Sequence, residues 1–343
     1  MKKIVIKKYG GYSQLQYLDA SVPKPPPGHI LVRTKSIGVN YADVCVRWGI
    51  YESAKKLKGL PITPGFEFSG KIEELGEGVK NFKVDDRVFG LTFFEAYSEF
   101  VIVPTHQLFK IPPNLTYDEA SAFPVTFITA YHALFQNIIL RKNMKILIHS
   151  AAGGVGSSLV QLAKTKGCHV TGVVGKTHKV PLVEKLGADK VIDKSKEQLW
   201  TKAESISPEG FDIILDANGY STLKDSYGHL KPTGKLISYG FHSMLPKKGG
   251  KINYISLALN YLKSPWFNPV HMSNLNKSLI TFNLSFLFSR KDLLEEAIFD
   301  LLSMLKEEKI KLPPITTFPL KEVAKAHQAI ESGETIGKIV LNS

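Results

Sequence analysis

Two cysteines, Cys45 and Cys168, are all that 343 residues contain, which excludes a disulfide framework and leaves too few thiols for a four-cysteine zinc lobe. Each reads as a small core or surface residue. No stretch approaches 18 uninterrupted apolar residues, and the apolar segment in MKKIVIKKYGG is too short for a signal peptide, so no transmembrane segment and a cytoplasmic location are expected. The ten histidines include no H-x-x-x-H or H-E-x-x-H pair. His132 and His149 therefore read as satisfied structural residues rather than metal ligands. There is no internal repeat. Acidic residues are the scarcer charge, 31 against 44 Lys and Arg, for a net charge of +13. A positive surface attracts phosphate-bearing ligands, acidic membranes or nucleic acid alike. The lysines are scattered (Lys55, Lys56, Lys58; Lys176, Lys179; Lys247, Lys248, Lys251), and no aromatic-interleaved basic block resembles a nucleic-acid motif.

What is present is the composition of a soluble globular enzyme, 43% hydrophobic and 22% charged, on a chain long enough for two domains. The chain is organised around His149 to Gly156, HSAAGGVG, where an apolar strand (Lys145 to His149) ends and an amphipathic helix begins, with Val155, Leu159, Leu162 and Ala163 on one face until Gly167 stops it. A dinucleotide turn requires that context. Ala151 stands at the first glycine of G-x-G-x-x-G. Gly153 lets the backbone approach a pyrophosphate, Gly156 lets the helix pack close to the sheet, and the free N–H groups favour an anion. Ala152, Gly154 and Val155 complete the expected phosphate turn.

The first hundred residues alternate short β-rich runs with Pro and Gly (Ile30 to Ile37, Gly70 to Leu75, Arg87 to Gly90, Glu99 to Val103), which predicts a small antiparallel barrel. Val22 to Gly28, VPKPPPG, cannot donate a ladder of hydrogen bonds and reads as a surface connection. Thr116 is placed to cap a helix running toward Phe123. From Pro124 onward strands alternate with helices: 145–149, 168–174, 190–194, 211–217 and 234–240. That alternation predicts a parallel, doubly wound sheet. Residues 241–276, rich in Lys, Pro, Asn and aromatics, read as a long irregular insertion, as a lid or an oligomer contact. Helical periodicity returns at 293–305 and 320–330, before a final strand GKIVL.

Five motifs occur in one order: Gly38 to Tyr51 (GVNYADVCVRWGIY), Pro64 to Gly70 (PGFEFSG), Val84 to Gly90 (VDDRVFG), Pro124 to His132 (PVTFITAYH) and AAGGVG. Together they resemble the zinc-free quinone oxidoreductase branch of the medium-chain dehydrogenase/reductase family over essentially the whole chain. WFNPVHMSNLNKS followed by FNL (266 to 284) resembles the subgroup named for the synaptic vesicle amine transport membrane protein. The resemblance implies a discontinuous GroES-like β-rich catalytic domain (1–123 and 288–343) clasping a Rossmann NADPH-binding domain (124–287), an α/β architecture with the cofactor in the cleft. Zinc-dependent relatives carry a Cys ligand and a Gly-His-Glu. The matching places here hold Asn40-Tyr41 and Gly65-Phe66-Glu67, and phenylalanine cannot bind zinc.

By resemblance Asn40, Asp43, Tyr51 and Thr129 lie near the nicotinamide, with Asn40 and Tyr51 facing the substrate. Asn218, Tyr239, Gly240, Phe282, Leu284 and Lys338 are implied as further cofactor contacts. Read without that family, Asn40 is a turn residue, Tyr51 a barrel aromatic and Thr129 an interior helix threonine bonding its own backbone. Tyr41 and Tyr131 read as core. After the strand ending Val173-Val174-Gly175, no carboxylate follows to take ribose hydroxyls, whereas Lys176 and Lys179 are available for a 2′-phosphate. The resemblance gives that role to Gly175 and Lys179, with Lys194 replacing a tyrosine used by some relatives. Without a Lewis acid, an acceptor that takes hydride unaided is the better match. The expectation is an NADPH-dependent reductase of quinones or α,β-unsaturated carbonyl compounds. The alternative is a protein that retains NADPH and uses its basic surface for RNA or anionic membrane. LITFNLSF (279–286) alternates β-favouring residues as an edge strand, and a homodimer joined at that edge is expected.

Overall fold

In the computed structural model, which describes residues 1–244 and 254–343, six parallel strands form the central sheet. Their order across the sheet is Lys190–Asp193, His169–Val174, Lys145–Ile148, Phe211–Asp216, Leu230–Ser238, Ser278–Thr281. Alternating residues explain its burial on both faces. Ile146 and Ile148 join one apolar cluster while Leu147 joins another, and Ile213 and Leu215 are likewise separated from Ile214. The order of strands reverses at Lys145–Ile148, the position where doubly wound sheets open a crevice at their carboxyl ends.

The second body is a seven-stranded sheet, coiled and almost wholly antiparallel, running Ile315–Pro319, Lys338–Asn342, His29–Val39, Glu67–Leu75, Arg87–Leu91 and Leu108–Lys110, with Phe100–Pro104 paired to His29–Val39. Its strands come from both ends of the chain. Thr116 caps the helix Tyr117–Ala122: its hydroxyl accepts the Glu119 N–H while the Glu119 carboxylate takes the Thr116 N–H. Pro124 then opens a second helix, Pro124–Tyr131, that carries the chain from one body into the other.

The helix Lys291–Lys306 packs on the connecting helix Pro124–Tyr131, where Tyr131 donates to Asp300. Two expectations change. The edge run expected over 279–286 pairs only through Thr281. Asn283 then turns the chain, because its side-chain oxygen accepts the Ser285 N–H and starts a short 3₁₀ turn. The segment 241–276 is not simply irregular: it holds the helices Tyr254–Leu262 and Pro269–Leu275, the second capped by the Asn268 side chain. Lys247, Lys248 and Lys251 lie outside the described residues. No helix among the described residues is long and apolar enough to cross a membrane.

Candidate active site

The helix Gly154–Thr165 starts where the strand Lys145–Ile148 ends, and its first N–H groups have no side-chain cap. A Cβ on Gly156 would collide with the Ser150 carbonyl and Ala151, so only glycine lets this helix sit so close to the turn. Gly153 is different. A Cβ there would meet one atom, Ser150 O, at a tight 3.3 Å. A glycine cradle at an uncapped helix N-terminus fits a pyrophosphate. Ala152, Gly153, Gly154, Val155 and Gly156 all line one cleft of about 1300 Å³ between the two bodies. That volume exceeds the usual span of small-molecule sites and accommodates an extended ligand together with a second one.

Most of the expected contacts meet there: Asn40, Tyr51, Thr129, Gly175, Lys179, Lys194, Asn218, Tyr239, Gly240, Phe282, Leu284 and Lys338 all form its wall. Thr129 lines the cleft while its hydroxyl donates to Val125 O at 2.6 Å. His149 also reaches the wall, yet it is buried with Nε2 3.1 Å from Ser226 Oγ, which donates to Asp216. Burial holds the imidazole below its ordinary pKa, so it is neutral.

Two expected residues are not in the wall. Asp43 is fully buried and spends its carboxylate on the backbone, accepting the Asn40 N–H at 2.8 Å and the Gly65 N–H at 2.9 Å. Desolvation pushes its pKa up to about 7 against the pull of those two bonds. It holds the Asn40 loop to the Gly65 turn and so acts from behind the site. Lys176 points instead to Glu334, 3.3 Å away on the surface.

A buried polar knot underlies the cleft where the two bodies meet. Lys338 Nζ donates to Asn40 Oδ1 at 2.5 Å and lies 2.6 Å from Glu67 Oε1, which also accepts Asn40 Nδ2 at 2.8 Å. Glu67 Oε2 takes the Val125 N–H at 2.7 Å, at the start of the connecting helix. One carboxylate thereby ties three segments together and meets the positive end of a helix. The Lys338 side chain is 3% exposed and that of Glu67 is 0%, so each charge depends on the other.

Sequence reasoning missed several wall residues. Tyr41, read as core, stands in the wall against His242 with ring centroids 4.3 Å apart. Burial lowers the His242 pKa to about 4, leaving a neutral ring. Glu331 lines the cleft from the helix Val323–Ser332, paired to Arg47 at 2.7 Å. Cys45, Ile50, Phe66, Phe288 and Ile330 give one end an apolar lining. Burial pushes the Cys45 thiol up to about 12, so it is held protonated and poorly nucleophilic. Tyr41, Cys45, Ile50 and Phe66 lie inside motifs already recognised, whereas Phe288, Ile330 and Glu331 lie outside them and carry no local signal. Among the described residues no three His, Cys, Asp or Glu side chains come together to hold a metal ion.

Residues 26–113 match the family model "Alcohol dehydrogenase GroES-like domain", and residues 186–341 match "Zinc-binding dehydrogenase". The whole chain is 34% identical to the synaptic vesicle membrane protein VAT-1 homolog of Danio rerio, covering 70% of that protein. A quinone oxidoreductase of Pseudomonas aeruginosa is 30% identical, with 99% of each chain covered. Among solved structures, Escherichia coli quinone oxidoreductase complexed with NADPH superposes with a TM-score of 0.87 at 26% identity, with all of both chains covered.

Proposed function

The chain belongs to the medium-chain dehydrogenase/reductase superfamily, in its quinone oxidoreductase-like branch, and on that footing we propose that it is an NADPH-dependent, zinc-independent reductase of quinones or α,β-unsaturated carbonyl compounds. The observation that carries this reading is a glycine-lined helix N-terminus opening into the same cleft as Asn40, Tyr51 and Thr129. When bound, NADPH supplies a hydride from its nicotinamide ring. The turn 152–156 would hold its pyrophosphate, and Gly175, Lys179 and Lys194 at the carboxyl ends of neighbouring strands would hold its 2′-phosphate. The likeness to a quinone oxidoreductase complexed with NADPH supports the same choice.

The place where zinc-dependent relatives put a histidine is Phe66 here, its ring 5.5 Å from that of Tyr51. Among the described residues, no cation other than a glutamate-paired Lys338 stands among Asn40, Tyr51, Phe66 and Phe288. That end of the cleft suits a neutral, apolar acceptor, one whose own polarised carbon takes hydride. Asn40 and Tyr51 would orient its carbonyl oxygen. A panel of quinones and cyclic enones, assayed with NADPH and with NADH, tests the reading. Turnover of at least one acceptor with NADPH is expected, and NADPH oxidation no faster than in buffer for the whole panel would overturn it.

The same reading includes a homodimer joined at the free edge of the parallel sheet. Strand Ser278–Thr281 ends that sheet, and an edge left open invites pairing. Light scattering should return two chains per particle across a wide concentration range. A one-chain mass throughout would remove the dimer without touching the chemistry.

A further inference from the structure

One part of the cleft wall is apolar and yet open to water. The helix Tyr254–Leu262 brings Ala258, Tyr261 and Leu262 to the wall, and the i, i+3, i+4 spacing puts all three on one face. That helix packs against the short turn His242–Met244, and Phe241, just before the turn, joins the lining. Tyr261 is 72% exposed, Leu262 73% and Phe241 51%, so this apolar surface is not packed into a core. It is continuous with the end of the cleft that holds Asn40. The His242 N–H donates to Ala217 O at 3.2 Å and the Ser243 N–H to Asn218 O at 2.7 Å, which ties the turn to the carboxyl end of the strand Phe211–Asp216. The His242 ring then packs on Tyr41, next to Asn40, and its burial keeps it neutral. Among the described residues, the charges in the cleft wall are engaged otherwise: Lys179 and Lys194 at the phosphate end, Lys338 with Glu67, Glu331 with Arg47 and Glu52 with Lys56.

We propose that the acceptor carries an uncharged alkyl tail, and that Phe241, Ala258, Tyr261 and Leu262 bind that tail while the reducible group lies by Asn40 and Tyr51. The inference rests on the reductase reading above and narrows its substrate class. A bare ring at Asn40 would leave the apolar face in water, whereas a tail laid along it takes apolar surface of both partners out of water. A methylene that is fully buried is worth about fourfold in binding, and one covered from a single side about twofold. Ala258 and Leu262 lie about 6 Å apart along the helix axis, a length that about five carbons span. The cleft, at about 1300 Å³, has room for such a tail beside an extended cofactor.

The test uses the full chain with NADPH and two series of acceptors, 2-alkyl-1,4-benzoquinones and alk-3-en-2-ones, each carrying a methyl, propyl, pentyl or heptyl group and each corrected for uncatalysed oxidation of NADPH. In at least one series kcat/KM should rise about twofold per methylene, or about 15-fold from methyl to pentyl, and level off by heptyl. The gain should lie in KM with kcat nearly constant, because the tail is held equally before and during hydride transfer. The double variant Tyr261→Ser with Leu262→Ser should bring the pentyl-to-methyl ratio down to about 3. Leu259→Ser is the matched comparison: that side chain is 52% exposed on the same helix but outside the wall, so the ratio should stay at about 15. A wild-type ratio near one in both series, with the methyl compounds turned over, would overturn the tail and leave the reductase reading in place. An unchanged ratio in the double variant, or an equal fall in Leu259→Ser, would overturn it too. A wild type inactive on every acceptor removes both.

Discussion

Lys338→Met is expected to lower stability by about 3–5 kcal/mol, the loss typical when one member of a buried ion pair is removed. The variant leaves the Glu67 carboxylate inside the protein with only Asn40 Nδ2 and the Val125 N–H as partners. It also frees Asn40 Oδ1, so the amide at the cleft wall loses the bond that sets its orientation. Urea denaturation of both proteins measures the loss. The double variant Lys338→Met with Glu67→Gln should regain much of the stability, since no charge is then left buried. A loss under about 1 kcal/mol would mean that water reaches Glu67 and the pair is not the fastening described here.

The second large effect concerns cofactor choice. Lys179→Ala should weaken NADPH binding about tenfold to a hundredfold, the value of a charge-assisted phosphate bond, and NADH binding far less. Lys179 Nζ already donates to the carbonyls of Gly333 and Thr335 at 2.6 and 2.8 Å, both from the turn that follows the helix Val323–Ser332. Those bonds aim the ammonium rather than neutralise it, because carbonyl oxygens carry no net charge and one N–H remains for a phosphate. Burial holds its pKa below the usual lysine value. Lys176→Ala is the matched comparison: its ammonium is paired with Glu334, so its loss should cost NADPH much less. Isothermal titration of both variants with both cofactors decides the point. Equal losses for NADPH and NADH in Lys179→Ala would show that the residue braces the turn and does not read the phosphate.

The parts of this molecule that depend on neighbours in sequence were legible without coordinates. Strand, glycine turn and helix at 145–165 follow from local periodicity and from steric demands that only glycine meets. The Thr116 cap is equally local. What could not be read is set by partners far along the chain. Nothing near Asn40 announces Lys338, 298 residues away. Lys179 gives no local sign that it will serve carbonyls at 333 and 335. Asp43 sits within a recognised motif, but whether a carboxylate faces a ligand or a backbone turn depends on where Gly65 folds. Tyr41 shows the same limit: its ring packs against the Val44 and Trp48 core cluster as expected, but its place in the cleft wall depends on His242 in a distant segment.

The order of strands also governs how the chain can be assembled. All six strands of the parallel sheet lie within residues 145–281, a continuous stretch whose pairings need nothing that comes later. The barrel sheet differs, because Lys338–Asn342 lies between Ile315–Pro319 and His29–Val39. During synthesis the first strands of that sheet must wait, with an open edge at residues 36–39, until almost the whole chain has left the ribosome. The parallel body has the chance to form first. Closing the barrel then requires contacts about 300 residues apart in sequence, a slow step by its loop entropy, and the knot of Asn40, Glu67 and Lys338 can form only at that step. Completion of the cleft and completion of folding are therefore one event, and a chain halted before residue 338 would carry a glycine turn for the cofactor but no finished site.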